Sequence, residues 1–163
     1  LFLAVFSIGI AIGSVAVNRL LKGEVSARYS PASVVVMGAF VVAFYFVCRN
    51  WEQDPAGTLY GIGGFLNHAD VIPLLVSLMG IAISGGMFVV PLYAFLTTTV
   101  PKDQTARTVA ANNIVNSGAM VAGSLLAIGL GFAGVGVVDQ LLMSAVMCLI
   151  SAWLAVKLHR ACD

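Results

Sequence analysis

Residues 100–118, VPKDQTARTVAANNIVNSG, begin as a charged, proline-containing loop and continue into an apolar stretch without a charge through Val138. Three asparagines, Asn112, Asn113 and Asn116, stand near the start of that stretch. Side-chain amides are uncommon at the mouth of a membrane-length segment, because a buried amide without a partner costs roughly 2–7 kcal/mol. The stretch therefore predicts a membrane-spanning helix with an unusually polar beginning.

At 100° per residue, a helix through this stretch has two chemically different faces. The small and polar face carries Asn112, Asn116, Ala119, Gly123 and Ala127. The opposite face is large and apolar, as suits contact with lipid, and carries Ile114, Val121, Leu125, Ile128 and Phe132. Asn113 is rotated by about 100° from Asn112, so we expect it to face a different neighbour.

The composition is that of an integral membrane protein. Of the 163 residues, 60% are hydrophobic and 9% charged, whereas soluble domains carry about 25% charged residues. The apolar segments are continuous rather than alternating, which excludes a transmembrane β-barrel. A formal charge of +1 predicts no nucleic-acid partner. The spacing of the three cysteines indicates neither a disulfide framework nor a metal site, and nothing in the sequence predicts a cofactor.

Five apolar segments are candidates for membrane-spanning helices. The predicted spans are residues 1–17, 32–48, 71–96, 108–136 and 138–157. The third span would be about 39 Å long at 1.5 Å per residue, so we expect it to tilt, bend or protrude from a ~30 Å hydrocarbon core. Gly85, Gly86 and Pro91 are its candidate bend sites. The chain begins inside an apolar run without a methionine, and we expect it to be a piece of a longer protein.

The basic residues predict which loops face the cytoplasm. With five spans, seven of the eight lysines and arginines fall on one side, and Arg49 alone falls on the other. Basic loops stay on the cytoplasmic side of a membrane. We therefore expect the loops 18–31 and 97–107, together with the C-terminus, in the cytoplasm. The seven residues are Arg19, Lys22, Arg28, Lys102, Arg107, Lys157 and Arg160.

Small residues on several spans indicate either close helix packing or a polar path. Gly9 and Gly13 form a G-x-x-x-G that lets another helix approach closely, and Gly123 lies on the small face of the fourth span. Packing alone would explain such faces. The asparagines favour a polar path over packing. An interhelical hydrogen bond in a membrane contributes only about 0.6 kcal/mol on average, which is little for three amides on adjacent turns. No acid or base lies deep within a span, which argues against a proton relay.

Neither of two histidine–aspartate pairs predicts an enzyme. His68 and Asp70 lie in an external loop without a third catalytic group, and loop polarity explains them better. His159 and Asp163 have three residues between them, whereas phospholipid acyltransferases have four. We therefore predict no catalytic residues.

The asparagine segment resembles the region around the eleventh helix of bacterial lysophospholipid transporters of the major facilitator superfamily. The resemblance rests on the signature A-R-x-x-A-A-N-N-I-x-N, which is met by Ala106, Arg107, Ala110, Ala111, Asn112, Asn113, Ile114 and Asn116.

The opening, FSIGIAIGSVAVNRLLKGEV, resembles the eighth helix of that family and its cytoplasmic loop. The loop resembles a degenerate copy of the superfamily motif G-x-x-x-D-R-x-G-R. Ser14, Asn18 and Leu21 replace its glycine, aspartate and second glycine, whereas Arg19 and Lys22 keep its charges. The aspartate that usually forms a charge-relay latch is therefore replaced here.

The resemblance implies an all-α chain that forms helices eight to twelve of a twelve-helix transporter, most of its C-terminal six-helix half. It implies movement of lysophospholipid, mainly lysophosphatidylethanolamine, from the outer to the inner leaflet of the bacterial inner membrane. It further implies that seven N-terminal helices of the same protein are missing. An acyltransferase and an acyl-carrier-protein synthetase are expected as fused or associated partners.

The placement of the amides on one helix face, near its cytoplasmic end, also predicts roles for individual residues. Asn112 and Asn116 are expected to line the cytoplasmic part of the substrate path or its gate, with Arg107 at its mouth near lipid phosphates. Asn113 is expected to brace a neighbouring helix. Two other functions stay open, namely a major facilitator that carries another solute or drug and a membrane scaffold subunit that transports nothing.

Overall fold

The computed structural model describes residues 1–21, 29–51 and 61–162, which form helices joined by turns and short loops. Five of the helices are long and apolar enough to cross a membrane, and the short α3 is the exception. No strand occurs in these described ranges. The predicted all-α architecture, with five helices of membrane-spanning length and hydropathy, is thus confirmed. The helices are α1 (Phe2–Leu20), α2 (Ser30–Arg49), α3 (Ile62–Leu66), α4 (Val71–Thr99), α5 (Thr105–Phe132) and α6 (Gln140–Cys162).

The contacts between helices fix their relative directions. α1 runs parallel to α4, because Gly9 lies against Ala82 and Gly13 against Ile83. α2 runs antiparallel to α4, with the ring of Phe40 against Gly80. It also runs antiparallel to α6: Gly38 lies against Cys148, and Tyr45 donates a hydrogen bond to Asp139 at the start of α6. Successive long helices therefore cross the bundle in alternating directions.

Alternating directions collect the basic residues at one end of the bundle, which we call the basic end. Arg19 closes α1, Lys102 and Arg107 flank the turn from α4 to α5, and Lys157 lies near the end of α6. Arg49, at the end of α2, lies at the opposite end. The predicted charge asymmetry therefore holds in the bundle for the basic residues that the structure describes, whereas Lys22 and Arg28 lie outside the described residues.

The closest helix pair is α1 with α4, where glycines bring the two backbones together. A methyl group added at Gly86 would lie 2.6 Å from the carbonyl oxygen of Ile10, and one at Gly9 would lie 2.5 Å from the Cβ of Ala82. A methyl group at Gly13 would collide with the carbonyl oxygen of Ile83. Without a strong hydrophobic drive between helices in lipid, such close approach is a main source of association.

The centre of the bundle lies between α2, α4 and α6. Val34 of α2 is buried with Cys148 and Ala152 of α6, and Met37 and Phe88 pack against them. Two serines of α4 turn back on their own helix: Ser77 donates to the carbonyl of Pro73 at 2.8 Å, and Ser84 to that of Gly80 at 2.8 Å. Gly80 and Gly86 of the same helix are also buried, against Phe40 and Ile10, so the small residues of α4 serve packing.

α4 remains one helix through its candidate bend sites. It has 29 residues, about 44 Å at 1.5 Å per residue, and so exceeds a hydrocarbon core of ~30 Å. Pro91 lies inside it and is buried. Because proline has no N–H, the carbonyl of Met87 lacks its usual helical donor at this point.

α5 stands apart from the other long helices. Its 28 residues include none that is buried, and its contacts within the described chain are mainly with α4. The helix ends where Gly134 adopts a left-handed φ of 87°. Gly134 N–H donates to Gly131 and Val135 N–H to Leu130, a Schellman motif that satisfies terminal carbonyls. For this reason the helix ends at Phe132, short of the predicted limit of residue 136.

The opposite end of the bundle carries an aromatic cluster and a polar one. The ring of Trp51 stacks on His68 with centroids 4.1 Å apart and on Phe65 at 5.8 Å, and Phe2 meets Phe65 edge-on. Such aromatic clusters are typical of the membrane interface.

The polar cluster joins the end of α2 to the start of α6. The Tyr45 hydroxyl donates to Asp139 Oδ1 at 3.3 Å and accepts a hydrogen bond from Arg49. Tyr45 is only 3% exposed, so its hydroxyl needs these partners. Arg49 therefore has a structural partner at this end of the bundle.

The topology can be tested with single cysteines in a background without Cys48, Cys148 and Cys162. Asn67 and Lys102 are both exposed and lie at opposite ends of the bundle. We expect Asn67→Cys to react with a membrane-impermeant maleimide added to intact cells, and Lys102→Cys to react only after the membrane is permeabilised. Equal labelling of both cysteines in intact cells would contradict the five-span topology.

Candidate functional site

The structure brings the three asparagines into one cavity of about 550 Å³ between α4 and α5, which we call the amide cavity. It lies in the half of both helices that is nearer the basic end. Ligand sites in proteins usually measure about 300–1,000 Å³, so this volume is large enough for a small molecule or a lipid head group. The cavity is lined by Val89, Leu92, Tyr93, Leu96, Asn112, Asn113 and Asn116.

The amides in this cavity are available for a ligand. Asn112 is half-buried and Asn113 and Asn116 are exposed. None of the three side chains forms a hydrogen bond with another residue that the structure describes. Each amide offers two N–H donors and a carbonyl acceptor. Together they can bind a ligand that carries both acceptor and donor groups.

Asn113 shares the cavity with Asn112 and Asn116 despite its rotation on the helix. The opening toward α4 is wide enough to include all three side chains. Its predicted role as a brace between helices stays a prediction, because no described side chain bonds to its amide.

Arg107 lies apart from the amide cavity. It is exposed in the first turns of α5, and it is not among the residues that line the cavity. Asn116 lies nine positions further along the chain, a rotation of about 180° on an ideal helix. Its predicted place at the mouth of a path, near lipid phosphates, therefore depends on exposure at the basic end rather than on a shared face.

The predicted packing residues differ in their surroundings. Gly9 and Gly13 are buried against α4. Gly123 is exposed, and no described atom lies within 4 Å of a methyl group added there. Its predicted packing role therefore has no partner in the described part of the chain.

The loop motif is described only in part. The Ser14 hydroxyl donates to the carbonyl of Ile10 at 2.8 Å, one turn back in its own helix. Asn18 and Arg19 are exposed at the basic end, whereas Lys22 lies outside the described residues.

A second cavity, of about 340 Å³, lies between α4 and α6. Its walls are almost entirely apolar, so we call it the apolar cavity. Leu92 lines both this cavity and the amide cavity. The residues of the apolar cavity are Phe88, Leu92, Ser151, Leu154 and Ala155.

Sequence reasoning did not identify the α4 side of either cavity. Tyr93, the polar-tipped aromatic residue opposite the asparagines, lies within a long apolar span. The available signal was the recurrence of Val89, Tyr93 and Leu96 at helical spacing, close to the amides in the next span. That spacing alone does not reveal which helix the face meets.

The described residues contain no group of three or more His, Cys, Asp or Glu side chains that could hold a metal ion. In the His68 and Asp70 pair, the backbone N–H of Asp70 donates to His68 Nδ1 at 3.2 Å. The Asp70 carboxylate lies 3.9 Å from the same nitrogen. This geometry is local to one turn.

No protein-family model, curated protein or solved structure matches the chain. The resemblance to lysophospholipid transporters therefore rests on the residues quoted from the sequence.

Proposed function

We propose that this chain is the C-terminal part of a secondary-type transporter that moves lysophospholipid across the bacterial inner membrane by alternating access. In this proposal it supplies helices eight to twelve of a major facilitator fold, and the amide cavity is part of the substrate path. The basic end faces the cytoplasm, as the distribution of lysines and arginines predicts.

The observation that carries the proposal is the amide cavity. Three side-chain amides and Tyr93 surround a space of about 550 Å³ without bonding to one another. A scaffold helix would be expected to bury its amides in helix–helix hydrogen bonds. Neutral amides suit a zwitterionic head group, because they bond both its phosphate and its ammonium without the cost of placing a charge in the membrane.

The isolation of α5 agrees with a transporter made of two halves. A helix with no buried residue in a 163-residue chain has room for further contacts on most of its surface. In the proposal, the seven N-terminal helices cover part of α5 and close the amide cavity from the other side. Rocking of the two halves around that site would expose it to each leaflet in turn.

The proposal is tested by lipid transfer in proteoliposomes that contain the full-length protein of which this chain is a part. Labelled lysophosphatidylethanolamine is added to the outer leaflet, and albumin then extracts the molecules that remain accessible. We expect the protected fraction to rise faster than in protein-free vesicles. Residues 1–163 alone should insert without increasing this rate, and co-expression of the missing helices should restore it.

The same vesicles distinguish the two other functions. Uptake of a small solute or drug without lysophospholipid transfer would favour another major facilitator. Absence of all transport would favour a scaffold subunit if, in addition, a cysteine introduced at position 116 did not react with a water-soluble thiol reagent.

A further inference from the structure

The amide cavity and the apolar cavity are neighbours on the two sides of α4. The first opens between α4 and α5 and the second between α4 and α6. Leu92 contributes to the walls of both. The stretch of α4 that they use, residues 88–96, is the same half of the helix, so the two cavities lie at similar depth.

The two cavities have opposite chemical character. The amide cavity offers unpaired donors and acceptors from three asparagines. The apolar cavity is surrounded by Phe88, Leu154 and neighbouring aliphatic groups, with Ser151 as its one polar residue. A ligand that fills both must therefore have a polar part and an apolar part joined at about the position of Leu92. A single-chain phospholipid has this form, whereas a sugar or an inorganic ion does not.

We infer that the apolar cavity is the acyl-chain subsite of the transporter, and that Ser151, Leu154 and Phe88 determine which chain lengths are accepted. The inference rests on the proposed function and adds to it the site of the substrate's tail. The head group is held by the amides between α4 and α5. The acyl chain passes Leu92 and lies between α4 and α6, where it replaces contacts with membrane lipid.

A steric variant of Ser151 tests this inference. Ser151→Phe places a large ring in the apolar cavity. Ser144→Phe is the matched control, because Ser144 lies two turns earlier on α6, is exposed and lines neither cavity. Both variants are made in the full-length protein and reconstituted in equal amounts. Transfer of lysophosphatidylethanolamine is then measured with lauroyl, myristoyl, palmitoyl and oleoyl chains.

We expect Ser151→Phe to reduce transfer of the palmitoyl and oleoyl lipids by about tenfold or more while the lauroyl lipid is little affected. Ser144→Phe should keep the wild-type chain-length profile. An unchanged profile in Ser151→Phe, or the same loss at every chain length, would overturn the acyl-chain subsite while leaving the proposed function intact. If the wild-type protein transfers no lysophospholipid, the proposed function itself fails, and the subsite fails with it.

A second measurement needs no variant and covers the case in which Ser151→Phe does not fold. Lysophosphatidylethanolamine with a diazirine at the end of its acyl chain is photoactivated in the wild-type protein, and the labelled residues are mapped by mass spectrometry. Labelling of residues 88–92 and 151–155, reduced by excess unlabelled lipid, is the expected result. Labelling that excess lipid does not reduce, or that lies on other residues only, would overturn the inference.

Discussion

Gly86→Ala is expected to lower the free energy of unfolding by about 1–3 kcal/mol, because overpacking at a close contact forces the neighbouring groups apart. The added methyl group would lie 2.6 Å from the carbonyl oxygen of Ile10 and 3.2 Å from the backbone nitrogen of Ser14. Both are backbone atoms, which cannot rotate away as the end of a flexible side chain can. α1 would therefore have to move away from α4.

Gly85→Ala is the matched control for this change. A methyl group at Gly85 would lie 3.7 Å from Met37 Sδ, an ordinary contact. Alanine raises helix propensity by about 1 kcal/mol over glycine at either position, so the difference between the variants isolates the contact with α1. The measurement is a thermal unfolding curve in detergent, in which unfolding is detected by the reaction of the buried Cys148 thiol with a thiol reagent. Equal melting temperatures for the two variants would contradict the close approach of α1 and α4.

Asn116→Ala is expected to lower lysophospholipid transfer by about tenfold to a hundredfold, because a hydrogen bond to a charged group contributes about 1.5–3 kcal/mol. The side chain is exposed in the amide cavity and bonds to no described residue. Its removal should therefore leave expression and thermal stability nearly unchanged. The measurement is the transfer rate per folded molecule in proteoliposomes, beside a melting curve for the same preparation.

Ser117→Ala controls for a small change at the neighbouring position. Ser117 is also exposed on α5, and it lies outside the walls of the amide cavity. The Ser117→Ala variant should transfer lipid at the wild-type rate. If Asn113 braces a neighbouring helix, as the sequence predicts, Asn113→Ala should lower stability before it lowers transfer. If Asn113 acts only in the amide cavity, Asn113→Ala should keep its stability, as Asn116→Ala does. If Asn116→Ala loses transfer only in proportion to lost folded protein, the amides serve packing and the path assignment is wrong.

The five spans followed from the sequence because span length and charge placement are properties of the chain itself. A run of about twenty apolar residues is long enough to cross a membrane whatever it packs against. The split of Arg19, Lys102 and Lys157 from Arg49 needs only a count of spans. The C-terminal end of α5 was harder to predict from the sequence, because a glycine-rich stretch does not reveal which glycine takes a positive φ. The structure assigns that role to Gly134.

Only the α5 side of the candidate site could be predicted from the sequence. Asn112, Asn113 and Asn116 stood out because amides are costly in a membrane. Tyr93, Leu92 and the apolar cavity did not stand out, because a residue of an apolar span can be assigned to a site only when the helix that it faces is known. That the Gly-x-x-x-Gly of α1 meets Ala82 and Ile83 on α4, and not another helix, is likewise a choice of partner.

The chain alone therefore determined what each helix is, since hydrophobic length, charge and the cost of a buried amide are local quantities. Only the tertiary structure decided which faces meet, since contact depends on the directions and rotations of several helices together. Leu92 shows the difference. In the sequence it is one leucine among many, and in the bundle it lines both a cavity of amides and a cavity of apolar side chains.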